Sequence, residues 1–123
     1  MSSFPEQDPA HGFFLGFARV KLEYLRFESG VRDYDKSNVD RLRMIFRDEG
    51  CQRENRKHYI PAVVPSAILS SWRPKGEELS DLTPPAGETI LCLHGKHRVL
   101  AAREFLSHRD QWWNLQIYNE GTT

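Results

Sequence analysis

The run Ile90-Leu91-Cys92-Leu93 is followed by His94-Gly95, then by Lys96-His97-Arg98, and then by a stretch with Val99 and Ala102 at helical spacing. No other part of the chain constrains its fold as much. Unbroken apolar residues closed by a glycine predict a strand over Thr89–His94 covered on both faces. Gly95 breaks the strand, and Val99, Ala102, Phe105 and Leu106 predict a helix with one buried face. A strand, a glycine turn, basic residues and a helix start make an anion site. The helix start offers backbone N–H groups and the positive end of its dipole, and the glycine lets an anion approach closely. Lys96, His97 and Arg98 add cationic donors, and an arginine can grip phosphate oxygens in bidentate fashion.

The remaining elements fit a small α/β protein with an α+β mixed sheet. Val20, Leu22 and Tyr24 alternate with Lys21 and Glu23, predicting a strand over Arg19–Phe27 that bends or ends near Leu25. Phe13 to Phe17 is an aromatic segment without a clear period. Val39, Leu42, Ile45 and Phe46 recur at helical spacing over Ser37–Glu49, with Ser37 and Asp40 in capping-box relation and Gly50 as the stop. A charged link, Gln52 to Lys57, leads to a strand over Tyr59–Val64, in which Pro61 must sit where no ladder N–H is needed. Pro65-Ser66 opens a short helix through Ile68, Leu69 and Trp72. Residues 73–88, with Pro74, Gly76, Pro84, Pro85 and Gly87, read as a surface loop. Trp113–Tyr118 alternates strictly and closes the domain, placing a leader at 1–18, one domain at 19–118 and a tail at 119–123. A chain that stops so soon after its closing strand also fits a fragment or degenerate copy of a longer protein.

A chain of 123 residues supports one core and not two. Its formal net charge is zero, so a polyanionic partner would have to meet a local patch. No apolar run is long enough to span a bilayer, and no basic cluster leads into an apolar stretch at the N-terminus. Two cysteines far apart, Cys51 and Cys92, read as reduced thiols. These features together predict a cytoplasmic or nuclear protein with no membrane partner.

Gly95-Lys96-His97-Arg98 followed by Ala101-Ala102 resembles the G-x-[HR]-R-x-x-A-A box of the ParB/sulfiredoxin-like superfamily. The likeness spans about residues 19–118. Its first strand corresponds to Val20–Phe27, its amphipathic helix to Ser37–Glu49, its "PIVV" strand to Ile60–Val64 and its closing strand to Trp113–Tyr118. Asn38–Leu42, Gly50-Cys51, Leu93–Arg98 and Trp112-Trp113 look, more closely still, like a fungal domain family of unknown function. The superfamily includes CTP-binding DNA-partition proteins, ATP-dependent sulfinic-acid reductases, free-serine kinases and nuclease-like proteins. The resemblance implies that Gly95, Lys96, His97 and Arg98 contact the phosphates of a nucleotide, such as a nucleoside triphosphate with Mg²⁺. It assigns no turnover. Lys96 stands where the reductases carry their attacking cysteine, which argues against that activity. A kinase would need a carboxylate near the box, and Glu28, Asp33 and Asp35 are the ones suitably placed.

Two other classes of function compete with nucleotide binding. In one, the same turn grips the backbone phosphate of a nucleic acid, as a binding or nuclease-like module. In the other, the domain is a catalytically silent interaction module. Arg32, Asp33 and Asp35 form a candidate second wall of the ligand cleft, although a solvated turn accounts for them as well. Cys92, His94 and His97 spell C-x-H-x-x-H, but no fourth ligand follows at a usual spacing, so no metal site is expected. Arg41, Arg43, Arg47, Arg53, Arg56 and Lys57 are interleaved with acids and predict a solvated face rather than a nucleic-acid track. Trp72 and Trp113 read as core. Trp112 is the ring placed to stack on a base.

Overall fold

The longest strands, β1 (Phe14–Lys21) and β6 (Trp112–Asn119), pair antiparallel along most of their length, with Ala18 opposite Leu115 and Val20 opposite Trp113. Around them lie β2 (Leu25–Phe27), β3 (Ile60–Val64), β4 (Leu79–Asp81) and β5 (Ile90–Cys92). The computed structural model describes residues 14–28, 36–75 and 77–119. Among these, the strands form one mixed six-stranded sheet in the order β2-β5-β3-β6-β1-β4. The pairs β3–β6, β1–β4 and β2–β5 are parallel, whereas β3–β5 and β1–β6 are antiparallel. With helices α1 (Lys36–Glu49) and α2 (Lys96–Phe105), this is the expected small α+β domain. None of the helices among the described residues is long and apolar enough to cross a membrane.

Strand alternation gives the sheet two unlike faces. Ala18, Val20, Ile60, Ala62, Cys92, Trp113, Leu115 and Ile117 share one face through their pairing, and all are buried. Both helices cover that face. Val39 and Phe46 of α1 and Val99, Ala101 and Ala102 of α2 complete its core, with the Phe46 ring 6.1 Å from that of Trp113. The helices also meet each other through Phe46–Phe105 and an Arg43–Glu104 ion pair. Each of the larger side chains in that core, a valine, leucine, isoleucine or phenylalanine, contributes about 1.5–3 kcal/mol relative to exposure. The opposite face carries Arg19, Lys21, Trp112, Asn114, Gln116 and Val63, and it is covered only in part, by the link that precedes β3.

Several elements follow from local sequence. The predicted amphipathic helix is α1, and Gly50 ends it in the left-handed conformation (φ +88°), its N–H donating to the Phe46 carbonyl at 2.8 Å. Pro61 lies within a central strand, where its carbonyl accepts from Leu93 N–H at 2.9 Å, just beyond the end of β5. Pro61 has no N–H with which to return that bond, and the β3–β5 ladder stops at Ala62–Cys92. Residues Ser66–Ser70 form a 3-10 turn, and Trp72 is buried, its indole N–H donating to Ser80 Oγ at 2.8 Å.

Other expectations are corrected. The first strand begins at Phe14 instead of Arg19, and a 3-10 turn at Leu22–Tyr24 separates it from β2. Distant groups impose that turn: Leu22 N–H donates to Gln111 O, and the Arg103 guanidinium donates to the Leu22 and Leu25 carbonyls. Helix α1 starts at Lys36, so Ser37 lies inside the first turn, and Asp40 pairs with Lys36 and Arg43. The loop over 73–88 contains β4, an edge strand parallel to β1, followed by Leu82, whose N–H donates to Arg19 O at 3.0 Å. β5 is only Ile90–Cys92, and Leu91 and Leu93 are half-buried, so the strand is not fully covered on its second face. Phe105 is 38% exposed at the end of α2, edge-on to Phe46, instead of buried. In β6 the strict alternation fails because Asn114 and Tyr118 are buried as well, beneath Tyr59 and Phe14 respectively.

Both cysteines are free thiols. Burial pushes the Cys92 thiol up to about 12, against the attraction of Arg103 and Arg26, and burial also raises Cys51. The native Cys92 thiol therefore keeps its proton where the unfolded chain, titrating near 9.0, has lost it. Its contribution to stability is full below about pH 9 and declines as the pH rises toward 12. Urea unfolding of wild type and Cys92→Ala on both sides of pH 9 is expected to show an alkaline loss of stability that is steeper in the wild type. In the native protein at neutral pH, a thiol reagent is expected to modify Cys51 first and Cys92 only on unfolding.

Candidate functional site

Gly95 is the N-cap of α2 and sits in the left-handed region, at φ 92° and ψ 16°. Its carbonyl accepts the first helical bond, from Val99 N–H at 3.0 Å, and it has no side chain with which to cap the first turn. A second constraint also demands glycine. A Cβ at position 95 would stand 2.9 Å from Ile60 Cγ1 and 3.0 Å from Ile60 Cδ1. The turn is thus pressed against the first residue of β3, fixing where the helix begins relative to the sheet.

The first turn of α2 opens onto a cleft of about 290 Å³ between the ends of β2 and β5. Gly95, Lys96, His97 and His94 line it on one side, with Cys92 at its floor and Phe27 and Glu28 across from them. Lys96 and His97 are half-buried and His94 is exposed. The arrangement combines a helix N-terminus, a lysine and two imidazoles with one carboxylate. A phosphate-sized anion is complementary to the first group, and Glu28 is the carboxylate beside it. Cys92, protonated at neutral pH, offers no nucleophile.

Arg98 is not part of this cleft. Successive helical residues advance by about 100°, so Arg98 lies about 200° around the axis from Lys96. Its guanidinium enters a separate cleft of about 220 Å³ between α1 and the sheet, walled by Leu42, Ile45, Phe46 and Trp113, with Glu49 and Gln52 also lining it. There Arg98 Nη1 lies 3.5 Å from the His58 carbonyl oxygen, which also accepts from Trp113 Nε1 at 2.9 Å. The structure therefore brings Gly95, Lys96 and His97 together and sets Arg98 apart.

A family model described as the N-terminal domain of a protein of unknown function, DUF3723, matches residues 13–123. The chain belongs to that family. No curated protein and no solved structure matches it.

In this DUF3723 N-terminal domain, the expected second wall of Arg32, Asp33 and Asp35 lies outside the described residues. Glu28, one of the three carboxylates expected near the box, lines the cleft. Among the described residues, no group of three or more His, Cys, Asp or Glu side chains converges to hold a metal ion. The charged residues of α1 behave as a solvated face: Arg43 pairs with Asp40 and Glu104, Arg47 with Asp48, and Arg41 with Asn38. Arg53 and Arg56 do not. They cross to the other face of the sheet, Arg53 lying 3.7 Å from the Trp112 ring centre and Arg56 4.5 Å from that of Phe17. Acidic neighbours in the sequence concealed this, and only the aromatic rings of β1 and β6 would have hinted at it.

Gly95→Ala is expected to cost about 2–4 kcal/mol, combining the left-handed backbone with overpacking against Ile60. Urea unfolding measures it. A cost this large in ligand-free protein would establish the structural demand for glycine separately from any role in binding.

Proposed function

We propose that this domain binds a phosphorylated ligand, a nucleotide or a close analogue, with the phosphate at the first turn of α2. The observation that carries this reading is the cleft shared by Gly95, Lys96 and His97 at a helix start whose cap residue has no side chain. Backbone N–H groups at such a start complement an anion, and a partly desolvated lysine strengthens the attraction. The likeness of Gly95–Arg98 and Ala101-Ala102 to the ParB/sulfiredoxin-like box points to the same chemistry.

The residues fit a nucleoside triphosphate with Mg²⁺ only in a limited form. Mg²⁺ commonly keeps several waters and takes its other oxygens from phosphates and one or two carboxylates. Glu28 is the carboxylate of the described cleft that could serve, and bound Mg²⁺ would supply charge neutralisation there. Lys96 and His97 would hold the phosphate by charge and hydrogen bonding. Arg98, beside the His58 carbonyl, positions α2 against β3 and α1.

Calorimetry and thermal shift with ATP, CTP, GTP and UTP plus Mg²⁺, and with inorganic phosphate alone, test the reading. Lys96→Ala should weaken binding about tenfold to hundredfold, the worth of one charge-assisted hydrogen bond. Arg98→Ala should lower the melting temperature of the free protein and affect ligand affinity much less. Absence of any response from the wild type at millimolar ligand, or an unaltered affinity in Lys96→Ala, would overturn it.

A further inference from the structure

The face of the sheet turned away from the helices holds a second concentration of positive charge, unconnected with the α2 turn. Two clefts border it, one at the β4 edge and one at the end of the sheet where Lys21 and Trp112 meet the C-terminal part of α2. One, of about 430 Å³, is lined by Arg19, Arg73 and Lys75 with Ser71, Ser80 and Asp81. The other, of about 710 Å³, is lined by Lys21, Arg103, Arg109 and His108 with Glu23 and Trp112. Apart from Arg103, whose guanidinium is bonded to the Leu22 and Leu25 carbonyls, they present five lysines and arginines against two carboxylates, in a chain whose net charge is zero. The charge of this protein is therefore segregated rather than absent.

The two clefts adjoin at Trp112. Lys21 is directly opposite Trp112 in the β1–β6 ladder, and Arg19 stands two residues away on the same face. The Arg19 guanidinium carbon lies 4.4 Å from the centre of the Trp112 ring. Arg53 holds the ring in place. Its guanidinium lies 3.7 Å from the ring centre, donates to the Asp110 carbonyl at 2.9 Å, and its side chain is only 14% exposed. Arg19 is held far more loosely. Its Nε is buried without a hydrogen-bond partner among the described residues, and its ion pair with Asp81 is 4.0 Å long, to a side chain that is 83% exposed. A fixed arginine against the indole, a loosely held one beside it and exposed cations on both sides form a stacking platform inside an electrostatic groove.

We propose that this groove binds single-stranded nucleic acid, with a base stacked on the Arg19 guanidinium plane or, once Arg19 swings aside, on the Trp112 ring that it covers. Arg73 and Lys75 on one side, and Lys21 and Arg109 on the other, would follow the phosphates. A run of phosphates needs cations spaced along a path, and unpaired bases need flat π faces; this groove supplies both. An acidic peptide would use the cations but has no need of the ring. A duplex is read by an element that projects into its grooves, whereas this surface is recessed. Arg103, already donating to the Leu22 and Leu25 carbonyls, supports the wall and does not reach outward.

The test is fluorescence anisotropy of a labelled oligothymidylate of about 16 nucleotides, with indole fluorescence recorded in parallel on the full chain. Binding should weaken with added salt, at a slope of about −2 to −3.5 in log K against log salt, or about three to five phosphates at −0.7 each. Arg73→Glu with Lys75→Glu, and separately Lys21→Glu with Arg109→Glu, should each weaken binding more than tenfold. All four side chains are exposed, and circular dichroism should show unchanged melting. Lys96→Ala should bind the oligomer like wild type. The proposal is overturned if no binding occurs at low salt, or if the charge reversals leave affinity unchanged. Loss of binding in Lys96→Ala would move the contact to the α2 turn and overturn it as well. Equal competition by poly-glutamate, or tighter binding of a duplex of the same length, would replace the partner with an acidic peptide or double-stranded DNA.

Discussion

Ile60 fills the space that any side chain at residue 95 would need, and much of the molecule is organised by that contact. It sets the start of α2 against the first residue of β3, a strand that lies in the middle of the sheet between β5 and β6. Two residues before that strand begins, the His58 carbonyl accepts from Trp113 and lies within reach of Arg98, tying the link, β6 and α2 together at one oxygen. Ala101 and Ala102, fully buried, let the helix settle at the distance which the glycine establishes. The cleft beside Lys96 and His97 is the solvent-facing side of the same arrangement.

The two faces of the sheet divide the chemistry. The helix-covered face is apolar almost without exception, and its one thiol, Cys92, is held protonated by burial. The other face is a mixture of rings and guanidinium groups. Phe14, Phe17, Tyr59 and Tyr118 meet edge to face, while Arg19, Arg53 and Arg56 lie over Trp112 and Phe17. Arginine is suited to this half-wet position because its plane packs on an aromatic ring while its edges still bond to carbonyls and carboxylates. A neutral chain can thereby keep a strongly basic surface without an apolar one next to it.

Much of this was legible in the residues. Helix α1 and the β5–turn–α2 unit have long periodic patterns and a glycine at the place where each must stop or turn. β4 was not legible because three residues on a sheet edge make no period, and what holds them is Trp72 and the backbone of β1. The turn at Leu22–Tyr24 was hidden because Leu22 still points into the core, as strand alternation required, while the bonds that bend the chain come from Gln111 and Arg103. The separation of Arg98 from Lys96 could have been read from helical geometry alone, once the helix was known to begin at Lys96. The packing of Arg53 on Trp112 could not. It joins residues far apart in the chain through a ring whose exposure depends on the whole sheet.

Among the described residues, the sheet ends on each side with a strand of three residues, β2 and β4. Each outer strand also carries an exposed charge, Arg26 on β2 and Asp81 on β4. An edge so short offers few unpaired backbone groups to a neighbouring molecule, and burying a charge opposes pairing further. Strand-by-strand growth from one molecule to the next is therefore disfavoured at both ends. In a protein without net charge to keep its copies apart, the outline of these edge strands opposes fibrous aggregation.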